Sequence, residues 1–107
     1  MSPDVDMRPS EWLIVRDILR RYVPAHEVWA FGSRAKHSAK PYSDLDLAVI
    51  TDRPLPLDVA AGLRGAFSDS ELPWKVDVVD WATVDESFRN IIRAERVVVQ
   101  TGSHSGG

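Results

Sequence analysis

The chain has no cysteine. That excludes disulfides and thiolate metal sites. It has no basic excess: 13 Lys and Arg stand against 16 Asp and Glu, a formal net charge of -3. A general nucleic-acid binder normally shows the opposite balance, so no direct nucleic-acid partner is expected. No apolar run is long enough to span a bilayer, and the opening MSPDVDMRPS lacks the charged start and apolar core of a signal peptide. The expectation is therefore a soluble cytoplasmic protein without a membrane partner. No internal repeat is visible. The 107 residues have an ordinary hydrophobic content of 44%, enough for one small domain and one core.

What is present is concentrated in Val28 to Ile50, VWAFGSRAKHSAKPYSDLDLAVI. An apolar run ends abruptly at Gly32-Ser33-Arg34, and a polar connector follows. From Ser43 acids and apolar residues alternate with period two, a strand signal. On a strand, Asp44 and Asp46 point to the same side while Leu45 points to the other. Two carboxylates side by side at the mouth of a buried strand repel each other unless a cation lies between them.

The rest of the chain supplies the frame. Residues 1–8 are polar and expected to be a flexible N-terminus. Pro9 suits a first helical turn, and Trp12, Val15, Ile18, Leu19, Tyr22 and Val23 recur at helical spacing, predicting a helix over 9–22 that Pro24 ends. Its arginines fit a solvated face. Glu27 to Phe31 is a first strand, and Gly32 gives a backbone free to turn tightly. Ser33 to Lys36 could start a short helix, whose N–H groups would face an anion; Gly-Ser is also common turn punctuation. A second strand is expected over 44–50, and a helix over 57–67 in which Gly62 and Gly65 would permit close packing on the sheet. Residues 74–81 form a third strand, with Asp77 as an anomaly among valines that needs a partner and Asp80 in a turn or cap role. Thr83 to Glu86 fits a capping box, with Phe88, Ile91 and Ile92 as the apolar stripe of the helix it starts. A short strand over 95–100 follows, and 101–107, including His104, is expected to be a disordered tail. The three histidines show no metal-ligand spacing.

Each chemical feature is weak alone. Together, a Gly-Ser turn, an Asp-x-Asp pair and a later Asp answer the needs of phosphoryl or nucleotidyl transfer. Magnesium prefers oxygen ligands from a few carboxylates plus substrate phosphates, and two ions about 4 Å apart clamp the attacking and leaving oxygens of an in-line displacement. Asp44 and Asp46 would bridge both ions. Asp77 would complete the shell of one and serve as general base. Gly32 and Ser33 would hold terminal phosphates, with Arg34 pairing to them.

Gly32-Ser33, ten residues, then Asp44-Leu45-Asp46 resembles the signature of the DNA polymerase β-like nucleotidyltransferase superfamily. FGSRA, SDLDLAV and KVDVVD in that order resemble its minimal nucleotidyltransferases (MNT), over most of the chain. The resemblance implies a small α/β (α+β) fold over residues 9–100, a mixed β-sheet flanked by helices. It implies two magnesium ions and transfer of a nucleoside monophosphate from ATP. By position, Gly32 and Ser33 match the nucleotide-gripping turn, Asp44 and Asp46 the metal-binding pair, Asp77 the third carboxylate, and Arg34 a frequent basic position. Lys36-His37 departs from the family, where many members have Arg-Gly. So short a chain leaves little surface for an acceptor, which suggests that another protein presents it. The resemblance then extends to the antitoxin of HEPN–MNT toxin–antitoxin pairs, a protein adenylyltransferase that adds AMP to a tyrosine of its cognate HEPN ribonuclease toxin. The alternatives are an antitoxin acting by contact alone, and a nucleotidyltransferase of small molecules such as aminoglycosides.

Overall fold

Pro9 opens α1 (Pro9–Tyr22) in the computed structural model, which describes residues 2–102. The Arg8 N–H donates to Glu11 Oε1 at 2.8 Å, satisfying one donor of the exposed helix start. Trp12, Val15 and Leu19 form the buried face of α1. Pro24 cannot extend the helix, and the chain turns into β1 (Glu27–Phe31). β2 (Leu45–Ile50), α2 (Leu57–Ser68), β3 (Val76–Asp80), a 3-10 turn (Trp81–Thr83), α3 (Glu86–Glu95) and β4 (Val97–Gln100) complete the order. The residues expected to form the tail, 103–107, lie outside the described part.

The four strands make one mixed sheet in the order β3-β2-β1-β4. β1 pairs antiparallel with β2 and with β4, while β2 and β3 run parallel. Alternation along the strands divides the core between two faces. On one face Val28, Ala30, Leu45, Leu47, Val49 and Val78 pack against Val15 and Leu19 of α1 and Leu63 and Phe67 of α2. On the other, Phe31 and Ala48 pack against Ile92 of α3, bordered by Trp29, Val79 and Trp81. Asp46 lies on this second face, since it alternates with Leu45 and Leu47.

Several local expectations change. The segment before α1 is anchored, because Val5 enters the main core and the Asp6 carbonyl accepts a hydrogen bond from Arg34. Ser33 to His37 form a turn and no helix, closed by Lys36 N–H to Gly32 O at 3.1 Å and Ser38 N–H to Ser33 O at 2.9 Å. His37 there has φ 56°, the left-handed conformation that favours glycine. Gly62 packs against the Tyr22 ring of α1 and not on the sheet, and Gly65 faces open space. α3 is capped by Asp85, whose carboxylate accepts the Phe88 N–H at 2.8 Å. Thr83 is engaged elsewhere: its hydroxyl donates to the Asp80 carbonyl. Of the stripe expected on α3 only Ile92 is buried, leaving Phe88 and Ile91 exposed.

Candidate active site

The three aspartates share the second face of the sheet, near its edge. Asp46 has Phe31 as its partner on β1 and Asp77 as its partner on β3. In parallel strands in register, partner side chains point to the same face, so the Asp46 and Asp77 carboxylates are neighbours across about 4.8 Å of strand spacing. Asp44, just before β2, shares that face by the two-residue period. Gly32 follows β1 immediately and closes the site from the other side. Its φ is +77°, and a Cβ there would collide with the Asp46 carboxylate, lying 3.2 Å from its Cγ. Only glycine accepts both conditions, the left-handed backbone and the approach of the acid.

Asp46 carries the electrostatic signature of the site. Its carboxyl is raised from 3.8 to about 6, first by burial and then by the charges of Asp77, Asp44 and Glu95. A carboxyl this crowded is poised to gain from a cation. The donor set is hard oxygen, which suits magnesium. Among the described residues no three such side chains converge on one point; the acids share a face and leave an open mouth. The fit is one of chemistry and placement, with Asp44, Asp46 and Asp77 as the groups that would hold the ion. A cleft of about 700 Å³ opens beside Asp44, with Tyr42, Arg64, Trp74 and Lys75 among its walls.

Two sequence readings need correction. Asp77 was expected within a buried strand, but it is exposed, because β3 is the edge of the sheet. Its missing partner is therefore no buried cation; water reaches it. Arg34, expected at the phosphates, is buried and committed to backbone. Its Nε donates to Ser43 O at 2.8 Å, Nη1 to Asp6 O at 2.8 Å and Nη2 to Pro41 O at 3.2 Å. The guanidinium also stacks 4.4 Å from the Trp74 ring centroid. A buried charge needs such acceptors, and with them filled Arg34 holds the connector and the N-terminal segment against β2 and does not face a ligand.

Glu95 is the site residue that sequence reasoning missed. Its Oε1 accepts the Gly32 N–H at 3.0 Å and its Oε2 lies 3.3 Å from Lys36 Nζ. A glutamate at the end of an amphipathic helix carries no local signal of this role. Only the docking of α3 on the second face brings it to the turn. Asp80, by contrast, has the structural role expected of it: the carboxylate accepts from Thr51 Oγ1, from Leu55 N at 2.6 Å and from Ala82 N at 3.2 Å.

Comparison with known proteins shows the family and the fold. The family described as "Polymerase beta, Nucleotidyltransferase" matches residues 15–104. A protein of Haemophilus influenzae named "Probable protein adenylyltransferase MntA" is 53% identical over 96 residues, covering 90% of this chain and 84% of that one. A crystal structure described as a toxin-antitoxin with AMP-PNP superposes with a TM-score of 0.71 at 21% identity, over 89% of this chain and 76% of the other. A Shewanella oneidensis complex of tri-AMPylated HEPN toxin with MNT antitoxin superposes at 0.66 with 20% identity, over 91% and 74%. At such identities the two structures speak to the fold alone. No helix among the described residues is long and apolar enough to cross a membrane.

Proposed function

This chain belongs to the polymerase beta nucleotidyltransferase family, and we propose that it is a protein adenylyltransferase antitoxin that moves AMP from ATP to a tyrosine of a cognate HEPN ribonuclease toxin in the cytoplasm. The observation that carries the chemistry is the register of Asp46 and Asp77, with Asp44 on the same face and Gly32 pressed against Asp46. The acceptor follows from the likeness to the Haemophilus protein, which is named a protein adenylyltransferase, and from toxin–antitoxin complexes of the same fold.

Magnesium, two ions in this reading, would offset the crowded carboxylates and stabilise charge on the transferring phosphoryl group. The chain's own residues do the rest. Asp44 and Asp46 would hold the metal, which would supply countercharge to the phosphoryl group being transferred. Gly32 and Ser33 would receive the outer phosphates through backbone N–H groups of the turn. Asp77, exposed at the sheet edge, is open to an acceptor approaching from outside and takes the tyrosine proton. The phenolic oxygen bonds to the α-phosphorus, the bond from that phosphorus to the bridging oxygen breaks, and pyrophosphate leaves. The exposure of Asp77 suits an acceptor carried by another protein.

The test is intact mass of the cognate toxin after incubation with this chain, ATP and magnesium, beside an Asp44→Asn/Asp46→Asn control. Gains in whole AMP units, absent in the control, are expected. A tight complex with no mass gain would mean inhibition by contact, and would remove the catalytic reading.

A further inference from the structure

With Arg34 committed to backbone, the Gly32–Ser33 turn lacks the cation that its sequence suggested, and Lys36 is the basic side chain that stands beside it. Lys36 is half exposed, and its Nζ faces Glu95 Oε2 at 3.3 Å. The other oxygen of the same carboxylate accepts the Gly32 N–H at 3.0 Å. One anion therefore takes a main-chain donor and an ammonium together at the mouth of the turn. A phosphate group takes the same pair of donors. Glu95 holds this position although Asp46, Asp44 and Asp77 already make the neighbourhood negative. It is the last residue of α3, and Arg96 beyond it is extended with φ -60° and ψ 141°. Its side chain can swing away without unwinding a turn of helix.

We propose that Lys36 and the Gly32 N–H form the seat for the outer phosphates of the nucleotide, and that Glu95 fills this seat as an internal anion until nucleotide displaces it. The inference rests on the reading of the site as a nucleotide site, and goes further by naming the phosphate ligand and its competitor. The Gly32 N–H is a single donor that one anion fills, and two anions drawn to the same ammonium beside it repel each other. Entry of nucleotide breaks the Glu95–Lys36 pair and moves a negative charge away from the carboxylates that bind metal. The nucleotide binds with an affinity reduced by the fraction of time that Glu95 holds the seat.

The experiment is calorimetric titration of the full chain with AMP-PNP and, separately, with AMP, both with magnesium. Glu95→Gln removes the charge, and Glu95→Asp shortens its reach. Both are expected to tighten AMP-PNP by about 3–10-fold and to move AMP, which lacks the outer phosphates, by less than about twofold. Lys36→Ala is expected to weaken AMP-PNP about tenfold, and by more in the Glu95→Gln background, where no internal anion competes. Weaker AMP-PNP binding in both Glu95 variants would overturn the proposal and make Glu95 a supporting or metal-binding group. Equal shifts for AMP and AMP-PNP would overturn it as well. Absence of AMP-PNP binding in every variant and in the parent chain would sink both this seat and the nucleotide reading. Intact binding with no transfer to the toxin would remove only the adenylyltransferase.

Discussion

Asp77 and Asp80 stand on the same short strand and face opposite sides of the sheet. Asp80 is enclosed by donors: the Thr51 hydroxyl, the Leu55 N–H and the Ala82 N–H all point to its carboxylate. Asp77 lies in register with Asp46, another acid, and among the described residues no donor answers it. One acid is resolved within the fold, while the other is left for something outside it. The proposed roles follow this difference: a carboxylate answered within the fold is structural, and one left open beside other acids is the candidate for a ligand. A fold that needed only stability would have no use for carboxylates in register at Asp46 and Asp77, because like charges opposite each other are destabilising. Such a pair persists where a ligand or metal resolves it.

The contrast predicts opposite outcomes for the two kinds of acid. Asp46→Asn should lower transfer to the toxin by about 10³-fold or more while the protein stays folded and melts no lower than the parent near neutral pH. Mass spectrometry of the toxin and a thermal melt read both halves. A melt that dropped by many degrees would break the comparison, since Asp46 would then hold the fold together.

Gly32→Ala tests the same face through the backbone. The new Cβ meets the Asp46 carboxylate and needs the left-handed conformation at φ +77°. A cost of about 2 kcal/mol in stability is expected, together with weaker nucleotide binding. Denaturant unfolding and calorimetry report the two effects. A neutral result would show that the turn and the acid can part easily, and the tight fit of Gly32 would lose its meaning.

Asp80→Ala should do the reverse of Asp46→Asn. It leaves the Leu55 N–H and the Thr51 hydroxyl without their acceptor, while the Ala82 N–H keeps Thr51 Oγ1 at 3.1 Å, at a cost of about 1–3 kcal/mol. Transfer per folded molecule should stay within about twofold, because no charge at the site has changed. Loss of transfer in a protein that remains folded would place Asp80 in the chemistry and dissolve the division.

Much of this contrast was legible in the sequence, and the exceptions share a cause. Period-two alternation from Asp44 to Ile50 located β2 and put two acids on one face. The helical spacing of Trp12, Val15 and Leu19 located α1. Asp80, at the end of a valine run, suggested a cap, and it caps. What stayed hidden depended on backbone acceptors and on elements distant in sequence. Arg34 adjoins the Gly-Ser turn, and its neighbours suggested phosphate; the carbonyls of Asp6, Pro41 and Ser43 that claim it have no sequence signature. Glu95 reaches Gly32 only because Ile92, one turn earlier in α3, packs on Phe31 and Ala48. Asp77 looked buried because its neighbours are valines, yet exposure on an edge strand is decided by strand order, which the local pattern does not encode.

The smallest expected effect is on stability against pH. The Asp46 carboxyl rises from 3.8 in the unfolded chain to about 6 in the fold. Between those values the folded protein holds a proton that the unfolded chain has released. Stability therefore falls as pH rises through this window. The contribution is complete below about pH 4 and gone above about pH 6. Thermal melts in chelator should show the parent losing about 2–5 °C relative to Asp46→Asn across that range. An ordinary paired carboxylate, such as one held by donors alone, would change in the opposite direction. Magnesium should flatten the slope, because a bound cation favours the charged form that burial and repulsion disfavour. If the parent instead gained stability over Asp46→Asn as pH rose, the Asp46 charge would already be satisfied within the fold, and the contrast with Asp80 would fail at its central residue.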